Sequence, residues 1–325
     1  MTRWIFGITL SLLSATALAA AAAGDARAQG YPKRPISYIV PYGPGSGNDV
    51  IARIVARKVS DSVGQPVVVV NRPGATGGIG LELTAKAQPD GHTIVIASTS
   101  QIINHHLSKV RYDFLRDFTP VSLSGSMPYA VSVLNTFPAK SVKELIAMAK
   151  ANPGRFNYTG TVGSIAHFMG DMLKSAANID IVMIPNKLAA EAEADVLGGR
   201  IEIWMATLST TLRQVRADKV RVLAVAGDKR ASELPNVPTM TEAGYPRANV
   251  VADYFILAPA GTPKPIVDVL NGEIVKAIGN KEVADRLVAA GVEPISSSPL
   301  DVAARLKSEV ARWEKIVKES GIRLE

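Results

Sequence analysis

The feature that most limits the fold is a repeated pairing of short, nearly continuous apolar runs with segments of helical period. "ISYIV" at Ile36–Val40 leads into "NDVIARIVARKVSDSVG", where Ile51, Ile54, Val55, Val59 and Val63 recur at helical spacing. Asn48 or Asp49 is placed to cap that helix, and Gly64 to stop it. "PVVVVNRPG" and "HTIVIAST" are a second and a third strand, separated by a helix over "GGIGLELTAKA". Such runs are too apolar for a sheet with one wet face, and they suit parallel strands covered on both sides.

The middle of the chain repeats the theme. "YAVSVLN", "FNYTG", "IDIVMIP", "IEIWMAT" and "VRVLAVAG" are strands; Trp204 and Met205 belong to the core there. Between them lie helices over "SVKELIAMAKA", opened by a capping box of Ser141 and Glu144, over "SIAHFMGDMLKSAAN", over "AAEAEADVLGG", and a short one before the last strand. "YFILAPAGTP" returns as a strand, and helical patterns run to the end. Alternation throughout predicts an α/β protein with parallel sheets. At 325 residues, with too many strands for one small sheet, two lobes are expected. Residues 29–127 and 252–325 form one, residues 128–251 the other, with a cleft between them.

Residues 1–28 stand apart. Arg3, the apolar run "WIFGITLSLLSATALAAAAAG" and Ala26-Arg27-Ala28 fit a secretory signal peptide cleaved after Ala28, in preference to a membrane anchor. The arginine-led, alanine-rich leader points to a bacterial periplasm. The chain has no cysteine, which removes thiolate catalysis and cysteine metal sites. Its formal charge of +7 is spread among acidic residues, which suits anionic small molecules and a solvated surface better than a nucleic-acid face.

The loop Gly43-Pro44-Gly45-Ser46-Gly47-Asn48 follows the first strand. It fails the dinucleotide fingerprint at Asn48, lacks the Gly-Lys-Ser/Thr ending of a P-loop, and has Pro44 where a hydrolase elbow needs glycine. Two readings remain: a tight turn needing positive φ, or backbone N–H groups held out to an anion at a helix start. Gly74, Ala75, Thr76, Gly77 and Gly78 repeat the arrangement after the second strand, Ala97 to Gln101 after the third, and Thr161, Gly163 and Ser164 before a later helix. Ligands of open α/β sheets bind at such carboxyl ends of strands.

Catalytic groups are scarce. The histidines are His92, His105, His106 and His167. His92 follows a turn and is expected in solvent. His105 and His106 diverge and make a poor metal pair. His167 suits packing or capping better than base chemistry. Ser164, three residues before it, leaves an exported α/β hydrolase as an alternative, without an evident acid partner. Glu191, Glu193 and Asp195 read as a solvated helix face. Asp253 and Tyr254 precede the returning strand near the lobe crossing, where Tyr254 packs and Asp253 could meet a ligand amine.

"YPKRPISYIVPYGPGSGNDVIARIVA", "GQPVVVVNRPGATGGIG", "PDGHTIVIAS", "AKSVKELIAMAKANPG", "VLGGRIEI", "LPNVPTMTEAGYP" and "LAPAGTPKPIVDVLN" together resemble the Bug family, the extracytoplasmic solute receptors of tripartite tricarboxylate transporters. The resemblance implies a two-lobed periplasmic-binding-protein fold, type II-like, that closes on a small carboxylate and presents it to a membrane permease. It implies a monomer with no catalysis, cofactor, metal or nucleic acid. It places Tyr42, Gly45, Ser46 and Asn48 in the site, with Ala75 and Gly77, then Ser98, Thr99 and Gln101, then Gly163, Ser164 and His167. Departures fall at the distal end. Asn186 and Leu188 flank a retained Lys187, Ala206 stands where an aspartate is frequent, and Asp253 stands where an aromatic is usual.

Overall fold

The computed structural model describes residues 30–160, 162–186 and 189–322. The leader with its cleavage site, Thr161, Lys187 and Leu188 lie outside the described residues. The first sheet opens with β1 (Ile36–Val40), β2 (Val67–Asn71) and β3 (Thr93–Ser98), parallel in the order β2-β1-β3. Helices α1 (Gly47–Val63), α2 (Gly78–Ala85) and α3 (Thr99–Leu107) follow them in turn. Ser46 caps α1, its hydroxyl accepting from the Asp49 N–H, so neither Asn48 nor Asp49 is the cap. Helix α3 was not expected: its opening Thr-Ser-Gln has the composition of a loop but forms the first helical turn.

Strand β4 (Phe118–Leu134) is 17 residues long, far longer than "YAVSVLN". After α4 (Val142–Ala151) come β5 (Asn157–Gly160), α5 (Ile165–Ala177), β6 (Val182–Pro185), α6 (Ala189–Leu197), β7 (Ile203–Thr207), α7 (Leu208–Arg216) and β8 (Val220–Val225). Here β5 pairs in parallel with β6 and β7. The chain returns through β9 (Val251–Pro259) to α8 (Lys264–Gly279), α9 (Lys281–Ala289) and α10 (Pro299–Ser320).

The expectation of parallel sheets is therefore corrected to mixed ones. Strand β9 runs antiparallel between β3 and β4, and the far end of β4 runs antiparallel to β7 and β8. One strand thus belongs to both sheets: Phe118–Pro128 pairs with β9, and Tyr129–Leu134 with β7 and β8. Register shifts at Pro120/Ser122 and Leu123/Gly125 let it bend. The chain crosses between lobes on extended, hydrogen-bonded strands instead of free loops.

Each lobe has its own core. One gathers Tyr38, Ile51, Ile96, Phe114, Phe255 and Trp313; the other gathers Val131, Leu145, Tyr158, Met169, Ile203 and Met205. Trp204 is buried in a small satellite cluster with Val196 and Ile201. Ile165 and Phe168 of α5 reach into the first core, where the Phe168 ring meets Trp313 edge-on at 5.4 Å.

Candidate functional site

The ends of β1, β2 and β3 bring three segments together. In the first, Asp49 is the organiser. Its carboxylate accepts from Gly45 N–H at 2.9 Å, Asn71 Nδ2 at 2.9 Å and Arg53 Nε at 3.0 Å. Burial pushes that carboxyl up, but these hydrogen bonds outweigh it and hold it below the ordinary carboxylate range. Gly45 N–H is therefore spent within the loop, on Asp49. Asn48 is buried and donates to Ile96 O at 3.1 Å, so its amide locks α1 onto β3. The donors left over are the N–H groups of Gly47 and Asn48, which have no intrahelical partner by position.

The second segment is bent hard. Gly74, Ala75, Thr76 and Gly77 all have positive φ, at 126°, 48°, 51° and 92°. The two non-glycines lie in the left-handed region, at a cost of about 1–2 kcal/mol each. Strain of this kind persists where the surroundings over-determine it. Gly77 N–H closes the turn by donating to Gly74 O at 3.0 Å, which leaves the N–H groups of Ala75 and Thr76 as the donors that the turn, as a nest, could offer an anion. Beneath it lies Gln101. Its Oε1 accepts from Ser98 N–H at 2.6 Å and from the Ser98 hydroxyl at 2.8 Å. Its Nε2 is buried with no partner among the described residues. A Cβ on Gly77 would stand 2.7 Å from that nitrogen. Thr99 turns elsewhere, its hydroxyl accepting from Asp253 N–H at 3.0 Å.

Ser100, Met127, Tyr129 and Ser209, none of them foreseen, complete the wall beside the expected Tyr42 and Tyr254. Ser100 lies against the Tyr42 hydroxyl, and the phenols of Tyr42, Tyr129 and Tyr254 are close enough for each to oppose ionisation of another. Burial pushes all three phenols up, Tyr129 to about 12, so they stay neutral donors at any physiological pH. A Cβ at Gly47 would be 2.7 Å from the Tyr254 hydroxyl, so only glycine admits that approach. Met127 Sδ lies 3.8 Å from that hydroxyl and 3.7 Å from Ser209 Oγ at the start of α7. Tyr129 and Met127 could have been suspected only by placing the strand crossing on β4.

Other expected residues are placed differently. Ser164 Oγ caps α5, accepting from His167 N–H at 3.3 Å. His167 Nδ1 accepts from Gly163 N–H at 3.1 Å, and Nε2 faces Asp171 at 3.3 Å, whose other oxygen accepts from Tyr158 at 2.7 Å. Both ring nitrogens are thus occupied, and the imidazole makes no hydrogen bond to the Ser164 hydroxyl. Asn186 bonds Thr159 through its oxygen and Asp195 at 2.9 Å through its nitrogen. Asp195 also pairs with Arg200, and Glu193 with Arg213, so these acids are tied into the fold and not merely solvated. Ala206 is half-buried and packs with Trp204 in their satellite cluster. Asp253 is buried and its Oδ2 accepts from Arg305 Nε of α10 at 2.7 Å. Alternation along β9 turns it to the face opposite Tyr254, which corrects its expected cleft position.

The histidines are all packed. His92, expected in solvent, is only 8% exposed and meets Tyr31 edge-on. His106 Nε2 reaches Val310 O at 3.0 Å, and His105 packs against Tyr112 and Phe114. No group of three His, Cys, Asp or Glu among the described residues could hold a metal. Burial lowers the pKa of His105, His106 and His167. The unfolded chain then binds more protons below about 6.5, so this stability is full above that pH and drains away as pH falls toward the folded-state values. Urea midpoints are expected to drop between pH 7 and pH 5, and less so in a His105→Gln, His106→Gln variant. A flat profile in the parent would show that these rings charge freely in the folded state.

Mixed sheets, two separate cores and loops gathered at the ends of β1, β2 and β3 define the class as a two-lobed periplasmic solute-binding protein. Comparison places the chain more closely. The model of the tripartite tricarboxylate transporter family receptor, TctC, matches residues 51–322, and the chain belongs to that family of receptors, which are not enzymes. It is similar to protein BugT of Bordetella pertussis, 35% identical over 328 residues, covering 100% of this chain and 99% of BugT. Among solved structures, Rpa4515 of R. palustris with adipate is 32% identical with TM-score 0.80, over 90% of this chain and 99% of that one. MatC (Rpa3494) from Rhodopseudomonas palustris with bound malate is 28% identical with TM-score 0.75, over 88% and 100%.

Proposed function

We propose that this receptor, exported and trimmed after Ala28, captures a small organic carboxylate in the periplasm and hands it, as a monomer, to a membrane permease of the tripartite tricarboxylate type. The lobes would be residues 29–127 with 252–325, and 128–251. The observation that carries the reading is the strained Gly74–Gly77 turn set over Gln101 Nε2, which is buried with no partner among the described residues. A buried donor without an acceptor costs about 1–3 kcal/mol, which an incoming carboxylate or its bound water would recover. Adipate and malate in the similar structures support a carboxylate as the ligand class. The second lobe would close through Lys187 and the α5 loop at Gly163 and Ser164, and closure follows if the ligand favours the closed state.

The test is a thermal-shift screen of the chain from Gln29 onward against dicarboxylates, citrate, aromatic acids and acidic amino acids, with mass analysis of the recovered ligand. A cognate acid at a hundred times its Kd should add about 2.7 kcal/mol of stability and be recovered intact. No shift with any acid, or a converted product, would overturn the reading.

A further inference from the structure

A cavity of about 980 Å³ lies away from the anion cleft, walled by both lobes and by the crossing strands. The second lobe supplies Leu208 and the segment Gly227–Glu233; the crossing supplies Ser126, Pro128 and Val251; the first lobe supplies Gly291–Ile295 and one face of α10. Its mouth is shaped by Asn249, whose amide clamps the Gly227 backbone from both sides, at 2.6 and 3.1 Å. Lys229 pairs with Glu293 across the lobes. The volume is that of a small-molecule site.

The charges in it are nearly all spoken for. Arg230 is bonded to Glu242, Arg312 to Glu309, and Lys229 to Glu293. Two groups remain. Arg305 spends only its Nε, on Asp253, so its two terminal nitrogens have no partner among the described residues. Asp228 has no hydrogen bond or ion pair among the described residues, yet its charge acts on Arg305 from the other lobe. Leu208, Val251, Val292 and Ile295 add apolar wall to the same cavity. A ligand that complements this arrangement carries one carboxylate, one ammonium and an apolar body.

We propose that this cavity is a second binding site, for a neutral α-amino acid with an apolar side chain, its carboxylate on Arg305 and its ammonium on Asp228. The site is separate from the carboxylate cleft and does not depend on what that cleft binds.

The experiment is calorimetric titration of the chain from Gln29 onward with L-leucine and L-phenylalanine. The comparison proteins are Asp228→Asn, chosen because Asp228 is exposed, and Gly77→Val, which alters only the carboxylate cleft. Expected is saturable binding to the parent, about tenfold or more weaker in Asp228→Asn and unchanged in Gly77→Val. Three results would overturn the proposal: no saturable heat with either amino acid, equal binding in Asp228→Asn, or loss in Gly77→Val. The last would place the amino acid in the carboxylate cleft. Failure of the acid screen leaves all three readouts intact, so the two readings fall separately.

Discussion

A Gly77→Val variant is expected to lose carboxylate capture by about 100-fold while still folding. Gly77 sits at φ 92°, and a Cβ there would come within 2.7 Å of Gln101 Nε2 and 3.1 Å of Pro41 Cβ. A β-branched residue in that region is a backbone outlier. The nest must open or Gln101 must swing away, and either removes donors from the site. A loss of about 2–3 kcal/mol corresponds to the expected fold-change, at 1.4 kcal/mol per tenfold. The measurement is carboxylate affinity alongside the urea midpoint. A companion variant, Thr76→Gly, relieves left-handed strain at φ 51° and should be more stable by up to about 1 kcal/mol, with the turn still available. Undiminished affinity in Gly77→Val would mean that the nest holds no ligand.

The second large effect is on stability. Arg305→Met is expected to cost about 2–3 kcal/mol, and Asp253→Leu added to it should recover most of that. Asp253 is 2% exposed, and its Oδ1 already lacks a partner among the described residues. Without Arg305 the buried carboxylate would have no hydrogen-bond or charge partner among the described residues. Breaking a buried pair usually costs about 3–5 kcal/mol; the lower figure applies because Arg305 itself is 45% exposed. Replacing both partners by apolar groups is often neutral. Urea denaturation of both variants decides the matter: a single variant as stable as the parent would show that water, not Arg305, supports Asp253. This outcome explains why the amino-acid site is tested at Asp228 and not at Arg305.

Much of the fold was legible because burial on both faces writes itself into sequence. "ISYIV" and "TIVIAS" could hardly be anything but covered strands, and α1 and α4 declare themselves by spacing. "VVVV" is a strand as expected but not a covered one: β2 lies at the sheet edge and leaves Val68 47% exposed. The first half of β4 was hidden because Pro120, Gly125 and Pro128 imitate turn residues, while in space they mark where a long strand bends between sheets. Helix α3 was hidden because its hydroxyl-rich opening imitates a loop. In the site, the glycine turn at Gly74–Gly77 was visible as a run of residues that tolerate positive φ. The fate of Gly45 N–H was not, since it depends on a carboxylate four positions away folding back. Nor was the orientation of Asp253. Alternation says that it and Tyr254 face opposite ways, but which face is the cleft is decided by the register of β9 on β3 and β4.

That register has a temporal side. Strand β9 fills the gap between β3 and β4, yet it begins at Val251, after every residue of the second core. A chain delivered N-terminus first, from a ribosome or through a membrane pore, must therefore wait with the first sheet in two pieces until its last quarter arrives. Long-range pairings of this kind form slowly. The second core needs no residue beyond Ala248 for its buried members, so the wait falls on the first sheet alone.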